Sequence, residues 1–230
     1  MKTVGIIGGM GPESTAEFYV EVIKECQIQQ NAKNDEDYPE IFIYNLPIPQ
    51  IVDDVKDYEK TINMLIKATN KFELLNVDFM VMPCNTIHYF YDDLISKVKS
   101  PFLSLIESSV NKVKELKMKK VGLLATPTTI KQKIYKKVFD NDNLELIEPD
   151  EEEINILVEV IDNILAGKKL EEDKNKLLKI INKMVSQGAE AIILGCTDLP
   201  LLLTQQDTDI KLIDTIKVLA EATVQYAYQE

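Results

Sequence analysis

The chain has 230 residues, 45% of them hydrophobic and 28% charged, which is typical of a soluble globular protein and excludes a disordered one. A chain of this length can bury a full core without disulfides or metal ions. Lys and Arg number 26 against 38 Asp and Glu, giving a formal net charge of −12 that repels nucleic-acid phosphates and anionic membranes. We therefore expect neither nucleic acid nor a membrane as a partner.

The first residues lead directly into a strand-like run, Val4–Gly8, with no sign of a secretion signal. The apolar runs elsewhere are too short to span a bilayer. The three cysteines form no CxxC pair, which favours a reducing compartment. The single histidine, His88, has no Cys or His cluster around it, which argues against a zinc or iron–sulfur site. We expect a cytoplasmic protein that holds no metal.

Short β-rich apolar runs alternate with longer amphipathic stretches, a pattern that predicts an α/β fold of parallel sheets with helices on their faces. The first helix is predicted from Pro12 to about Gln30, with its apolar side formed by Ala16, Val20, Ile23 and Ile28. Strands are predicted at about 3–8, 40–45, 78–82, 102–105, 120–125, 144–147, 190–194 and 211–213. Further helices are predicted at about 57–75, 94–98, 107–116, 131–139, 155–165 and 173–187.

An internal repeat predicts two similar lobes. Residues 2–8 resemble residues 119–125, and the spacing from Gly5 to Cys84 is 79 residues, against 74 from Gly122 to Cys196. We expect two parallel-sheet α/β lobes related by pseudo-twofold symmetry, with the site in the cleft between them. The first lobe would span 1–99 plus about 208–230, and the second 100–207, with Ser100-Pro101 at the boundary. The last helix would return to the first lobe, and the second lobe is its alternative location.

Two cysteines each end an apolar run and are followed by small polar side chains, in Val81–Thr86 and Ile193–Asp198. This is how a buried parallel strand reads when its carboxyl end opens into a site. A free cysteine is usually a small buried apolar residue, and Cys26 in the first helix receives that interpretation. Cys84 and Cys196 differ because both precede a predicted helix, whose N-terminus would favour a thiolate.

Three further motifs have two interpretations each. The glycine-rich segment 5–11 lacks the GxGxxG spacing of dinucleotide sites, so we expect it to hold a carboxylate. His88 is either a base near Cys84 or a polar residue on the helix after it. The threonines of 126–129 either meet a ligand or cap a helix.

Two thiols on opposite sides of a bound amino acid could remove the α-proton from one face and return a proton to the other. This inverts the carbon without a cofactor. A free thiol has a pKa near ~8.5, so modest help from a helix N-terminus would supply thiolate at neutral pH. Asn85, Thr86, Thr197 and backbone N–H groups are the natural donors for the charge that develops on the substrate carboxylate.

These motifs, namely 8–13, Pro83-Cys84-Asn85-Thr86 with His88, and Gly195-Cys196-Thr197, closely resemble those of the aspartate/glutamate racemase family over essentially the whole chain. The resemblance implies a cofactor-independent amino-acid racemase, usually a homodimer, with Cys84 and Cys196 as the acid/base pair. It further implies a set of residues that contact the substrate: Met10, Asn85, Thr86, Thr126 and Thr197.

The chain departs from that family at the positions that decide specificity. Aspartate-specific members carry Arg and Lys where this chain has Ile51 and Leu165, so the partners of the distal carboxylate are missing. Either Gln50 substitutes, or the pocket accepts a less acidic side chain. Asp198, where many members carry Glu, would keep an acidic role beside the site. Aspartate or glutamate is the default substrate, and a lyase or cis–trans isomerase of small dicarboxylic acids, or a silent amino-acid-binding protein, are the alternatives.

Overall fold

The structure, a computed structural model, describes residues 1–229. Its first half builds a parallel sheet with strand order β2-β1-β3-β4. The elements of this half are β1 Val4–Gly8, α1 Pro12–Gln30, β2 Ile41–Asn45, α2 Tyr58–Leu74, β3 Phe79–Val81, α3 Tyr91–Ile95 and β4 Phe102–Leu103. Short 3-10 turns add Asp35–Asp37 and Thr86–Phe90.

The second half repeats this arrangement, with strand order β6-β5-β7-β8 in a second parallel sheet. Its elements are α4 Leu105–Glu115, β5 Lys120–Ala125, α5 Pro127–Lys131, α6 Ile134–Asn141, β6 Glu145–Ile147, α7 Glu151–Leu165, α8 Glu171–Ser186, β7 Ala191–Gly195, β8 Lys211–Asp214 and α9 Thr215–Ala227. Two further 3-10 turns lie at Leu199–Leu201 and Gln205–Asp207. The predicted fold class, two similar parallel α/β lobes, is confirmed.

The sequence explains why these segments adopt these elements. The central strands β1 and β7 are apolar throughout and buried at every position, as expected for parallel strands covered on both faces. Helix α7 begins at Glu151, four residues before the predicted start, because Asp150 accepts the Glu153 N–H at 3.0 Å while the Glu153 carboxylate accepts the Asp150 N–H at 2.8 Å. Each lobe has its own apolar cluster, and a third cluster joins both lobes through α1, α4 and α9.

Strand pairing moves the expected lobe boundaries. Strand β4 pairs with β3 in the first sheet, because the carbonyl of Pro101 accepts the Met80 N–H at 2.8 Å and the chain continues the ladder beyond the proline. Strand β8 pairs with β7 in the second sheet, so the chain leaves that sheet after residue 214 rather than at about 208. Helix α9 then packs mainly against α1.

The predicted apolar side of α1 is wrong. Ala16 and Val20 are exposed, and Ile28 is 72% exposed. The buried side faces α9 and the second lobe instead, and it consists of Ser14, Thr15, Phe18, Glu21, Val22 and Cys26. Its polar members have partners, since Ser14 binds Asp198 and Glu21 pairs with Lys24. Within residues 1–229, no helix combines the length and apolar character needed to cross a bilayer.

Candidate active site

A cavity of about 180 Å³ opens at the carboxyl ends of the central strands, between the two lobes. All eight residues that the sequence nominated as catalytic or substrate-binding line it. The lining residues are Gly9, Met10, Gly11, Pro12, Ile48, Pro49, Gln50, Ile51, Val52, Cys84, Asn85, Thr86, Thr126, Leu165, Cys196, Thr197 and Asp198. The parallel topology explains the convergence, because ligands bind where such strands end.

Cys84 follows β3 and lies 7% exposed at the first-lobe side of the cavity. The pKa of its thiol is raised to about 12, mainly by burial. Hydrogen bonds from the backbone N–H groups of Ile87 and Thr86 lower this pKa, and the charge of Asp198 raises it. Those N–H groups belong to the 3-10 turn that follows the cysteine. This side therefore offers two backbone donors to a negatively charged sulfur.

Cys196 follows β7 and lies 6% exposed at the second-lobe side. Its Sγ donates to Asp198 Oδ2 at 3.7 Å, and Asp198 in turn accepts a hydrogen bond from Ser14 Oγ of α1. Burial and the charge of Asp198 raise the pKa of this thiol well above its usual value, while the Asp198 N–H lowers it. The charge of Cys84 raises it further, so the two sulfurs are electrostatically coupled.

The expected lowering of the thiol pKa values does not occur. Each cysteine precedes only a short 3-10 turn, which brings one or two N–H groups to the sulfur rather than a full helix N-terminus. Desolvation is the largest influence on both thiols. The sole charged lining side chain among residues 1–229 is the acidic Asp198, so no lining cation favours a thiolate.

Asn85 is fixed by groups that sequence reasoning missed. Its Oδ1 accepts the Tyr135 hydroxyl at 2.6 Å, and its Nδ2 donates to Thr215 Oγ1 at 3.1 Å. The Thr215 hydroxyl in turn donates a hydrogen bond to the carbonyl oxygen of Leu194 at 3.0 Å. Because an amide nitrogen has two hydrogens, one Asn85 N–H is left for a ligand. Tyr135 and Thr215 lie far from Asn85 in the chain, and no local pattern marks them.

Three threonine hydroxyls form a closed ring across the lobes. Thr86 Oγ1 lies 2.9 Å from Thr126 Oγ1, Thr126 Oγ1 lies 2.9 Å from Thr129 Oγ1, and Thr129 Oγ1 lies 3.3 Å from Thr86 Oγ1. Thr126 also caps α5 by accepting the Thr129 N–H, so it has both of the functions considered for it, a helix cap and a lining residue. The ring ties the Cys84 turn to the second lobe.

The mouth of the cavity is apolar. Ile48, Pro49, Ile51 and Val52 come from the loop after β2, and Leu165 comes from the last residue of α7. Leu165 is 42% exposed, whereas Ile51 is as buried as the two cysteines, so the apolar group extends from the interior of the cavity to its rim. Gln50, the nominated partner of a distal carboxylate, is exposed at the same rim. A proline-rich loop after a strand predicts that the loop lines the site, but it does not predict that this lining is apolar.

His88 does not line this cavity. Its Nδ1 lies 2.8 Å from the carbonyl oxygen of Cys84, and its Nε2 accepts the N–H of Leu105 at 3.0 Å. A carbonyl only accepts, so Nδ1 carries the hydrogen and Nε2 is the acceptor. Burial lowers the pKa of this imidazole to about 4, which keeps it neutral at neutral pH. Of its two interpretations, the structure favours the one without base chemistry.

The glycine-rich segment brings the start of α1 to the cavity. Gly11 and Pro12 line it, and Gly11 begins the helix without a side-chain cap, so backbone N–H groups of the first turn are available to a carboxylate. Among the described residues 1–229, no three His, Cys, Asp or Glu side chains come together as a metal site.

The comparison with known families accords with this geometry. The sequence profile of the Asp/Glu/Hydantoin racemase family matches residues 7–223. The chain belongs to this family. It is 34% identical over 230 residues to the broad specificity amino-acid racemase RacX of Bacillus subtilis, covering 98% of this chain and 99% of that one. An isomerase of the racemase class is therefore established.

Solved structures share the whole fold. An aspartate racemase homologue from Pyrococcus horikoshii OT3 has a TM-score of 0.83 at 30% identity, with each chain covered completely. The aspartate racemase of Picrophilus torridus has a TM-score of 0.84 at 28% identity, covering 100% of this chain and 96% of that one. The family thus places amino-acid racemase chemistry on this two-lobed fold.

Proposed function

We propose that the protein racemises a free amino acid without a cofactor, with Cys84 and Cys196 as the two proton carriers. The observation that carries this proposal is the convergence of two thiols, one from each lobe, on a single cavity. The thiolate of one cysteine takes the α-proton as the C–H bond breaks, and the thiol of the other gives a proton to the opposite face of the carbon. The two protonation states are exchanged after each turnover, so the pair serves both directions.

The substrate itself supports the thiolate. Both thiol pKa values are raised by burial, and the α-ammonium group of a bound amino acid brings the positive charge that favours ionisation. The developing negative charge on the substrate carboxylate has donors in the free Asn85 N–H, the first turn of α1 and the Thr197 hydroxyl, which lies outside the threonine ring. Losing one such donor typically costs about 3 kcal/mol of transition-state stabilisation.

The alternatives use less of the site. A lyase or cis–trans isomerase of small dicarboxylic acids needs one cysteine as nucleophile or proton donor, which leaves the second thiol without a function. A silent binding protein uses neither. Aspartate and glutamate are the reference substrates because the family's name and its aspartate racemase members point to them.

We also propose a cytoplasmic homodimer. Exposed apolar side chains on α1 support the dimer, because Tyr19 is 40% exposed, Val20 is 43% exposed and Ile28 is 72% exposed. A protein–protein interface would remove such side chains from water. Light scattering in solution measures the mass of the assembly.

The decisive experiment follows the α-proton in D2O. The protein is incubated with single L-amino acids, and α-proton loss by NMR is compared with loss of optical rotation. Racemisation gives both together, a lyase or isomerase gives new products, and a binding protein gives neither. Cys84→Ser and Cys196→Ser should each slow racemisation by at least about a hundredfold, the usual contribution of one acid or base. Cys26→Ala is the matched control, since Cys26 is buried in α1 and does not line the cavity. Wild-type rates in either serine variant would overturn the proposal.

A further inference from the structure

The lining of the cavity divides into a polar group around the cysteines and an apolar group contributed by the loop after β2 and the end of α7. The polar group surrounds the two cysteines at the strand ends, where an α-carbon with its ammonium and carboxylate would react. The apolar group lies at the mouth, and it consists of Ile48, Pro49, Ile51, Val52 and Leu165. If the Cα of an amino acid lies between the thiols, its side chain is the part that contacts the apolar group.

The second group offers nothing to a negatively charged side chain. Asp198 is the one charged residue among those that line the cavity in the described part of the chain, and it is acidic. Lys169, four residues beyond Leu165, is paired with Glu13 at 2.7 Å. The chain as a whole carries a formal charge of −12. A carboxylate entering here would lose water without gaining a cation, which is unfavourable.

An apolar side chain gains from the same surroundings. Ile51 is 6% exposed and belongs to the apolar cluster of the first lobe, so its position is fixed by packing. Leu165 faces the cavity from the other lobe, close to Gly11, where an added Cβ would lie 3.6 Å from the Leu165 Cδ2 atom. A side chain held between Ile51 and Leu165 would remove apolar surface of both lobes from water.

We propose that this pocket selects neutral amino acids with aliphatic or thioether side chains over aspartate and glutamate. The inference rests on the proposed racemase function for its catalytic readout, and it concerns the side-chain half of the same site. Gln50 is the single polar side chain among the loop residues that line the cavity, and an exposed amide is a weak substitute for a cation.

The test compares kcat/KM for racemisation of L-leucine, L-methionine, L-aspartate, L-glutamate and L-lysine by chiral chromatography. We expect leucine or methionine to exceed aspartate and glutamate by about tenfold or more, because a carboxylate in this pocket loses water without gaining a cation. Higher kcat/KM for aspartate, glutamate or lysine than for both apolar substrates would overturn the proposal.

A substitution at the mouth sharpens the test. Leu165→Lys adds a cation and should shift the ratio of aspartate to leucine kcat/KM towards aspartate by about two- to fivefold. Leu165→Met is the matched control, because it keeps the size and apolar character and should keep the order of preference. An unchanged ratio in Leu165→Lys would contradict the placement of the side chain at this residue.

Binding separates a failed pocket from a failed reaction. The thermal unfolding midpoint of Cys84→Ser is measured with each L-amino acid, because a ligand that binds the folded state raises it whether or not turnover occurs. A larger rise with methionine than with aspartate supports the pocket even if no amino acid is racemised by the wild type. A larger rise with aspartate would overturn the proposed preference for apolar side chains and would leave the racemase proposal intact.

Discussion

The two cysteines occupy equivalent places in two equivalent sheets, yet their surroundings differ. Cys84 lies beside two backbone N–H groups, and its carbonyl is held by a neutral imidazole. Cys196 has one backbone N–H and donates its own hydrogen to the Asp198 carboxylate. Backbone donors stabilise a thiolate, whereas a carboxylate acceptor stabilises a thiol. The two thiols therefore occupy equivalent positions in the two lobes but differ in acidity.

This difference has a consequence for the catalytic cycle. With substrate bound, Cys84 should be the first of the two thiols to ionise, while Cys196 keeps its proton. The enantiomer whose α-proton faces Cys84 would then react from this form, while the other enantiomer would need the protons exchanged first. The pseudo-twofold symmetry of the fold does not make the two directions equal in rate.

The Cys84 side depends on an imidazole that stays neutral in the folded protein. The usual pKa of histidine is 6.5 and burial lowers that of His88 to about 4, so between these values the unfolded chain binds a proton that the folded one does not. Stability from this group is fully present above about pH 6.5 and is lost as the pH falls towards 4. From about pH 7.5 to about pH 5 the loss should be about 2 kcal/mol.

The variant His88→Gln isolates this loss, because glutamine offers one donor and one acceptor but does not titrate. Urea unfolding at the two pH values should show the extra loss in the wild type and not in the variant. His88 is the one histidine of the chain, so the difference between the two proteins has a single origin. Equal pH slopes would show that His88 is charged, or free of the Cys84 carbonyl, in the folded protein.

The repeat and the cysteine positions could be predicted from sequence because both depend on local patterns. The apolar runs at Val4 and Val121 form the equivalent central strands β1 and β5, and the polar residues after Cys84 and Cys196 mark the strand ends where the cavity opens. Parallel topology then brings those ends together, so two distant motifs become one predicted site.

The features that sequence did not predict depend on which surfaces meet. Helix α1 has a plausible apolar side at Val20, but packing against α9 and the second lobe buries Ser14 instead, because its hydroxyl finds Asp198. The thiol pKa values are raised because burial depends on the assembled cleft, whereas sequence shows only nearby helix termini. Tyr135 was missed because its contact with Asn85 spans 50 residues.

Removing the Tyr135 hydroxyl tests the positioning of Asn85 on the Cys84 side. Tyr135→Phe leaves the buried Asn85 Oδ1 without a hydrogen-bond donor, which should cost about 1–2 kcal/mol of unfolding free energy and loosen the Asn85 amide. We expect kcat to fall more than KM changes, because the amide serves the developing charge. Tyr58→Phe is the matched control, since that hydroxyl binds the exposed Asp93 outside the cavity. Equal kinetic effects of the two variants would show that Asn85 does not need this contact.

The smallest expected effect comes from making the two sides more alike. Asp198→Asn removes the negative charge that raises both thiol pKa values while keeping the size of the side chain. Each pKa should fall, and that of Cys196 should fall more than that of Cys84, because Asp198 also accepts the hydrogen of the Cys196 thiol. Thiolate exists above the pKa, so alkylation of Cys196 by iodoacetamide, followed by mass spectrometry, should begin at lower pH in the variant.

The same variant should narrow the difference between the two directions of racemisation, measured as kcat for each enantiomer. Asp214→Asn is the matched control, because Asp214 is also a buried carboxylate with a raised pKa but caps α9 and does not line the cavity. If Asp198→Asn left the alkylation profile of Cys196 unchanged while shifting that of Cys84, the carboxylate would belong functionally to the other thiol, and the assignment of Cys84 as the first to ionise would have to be reversed.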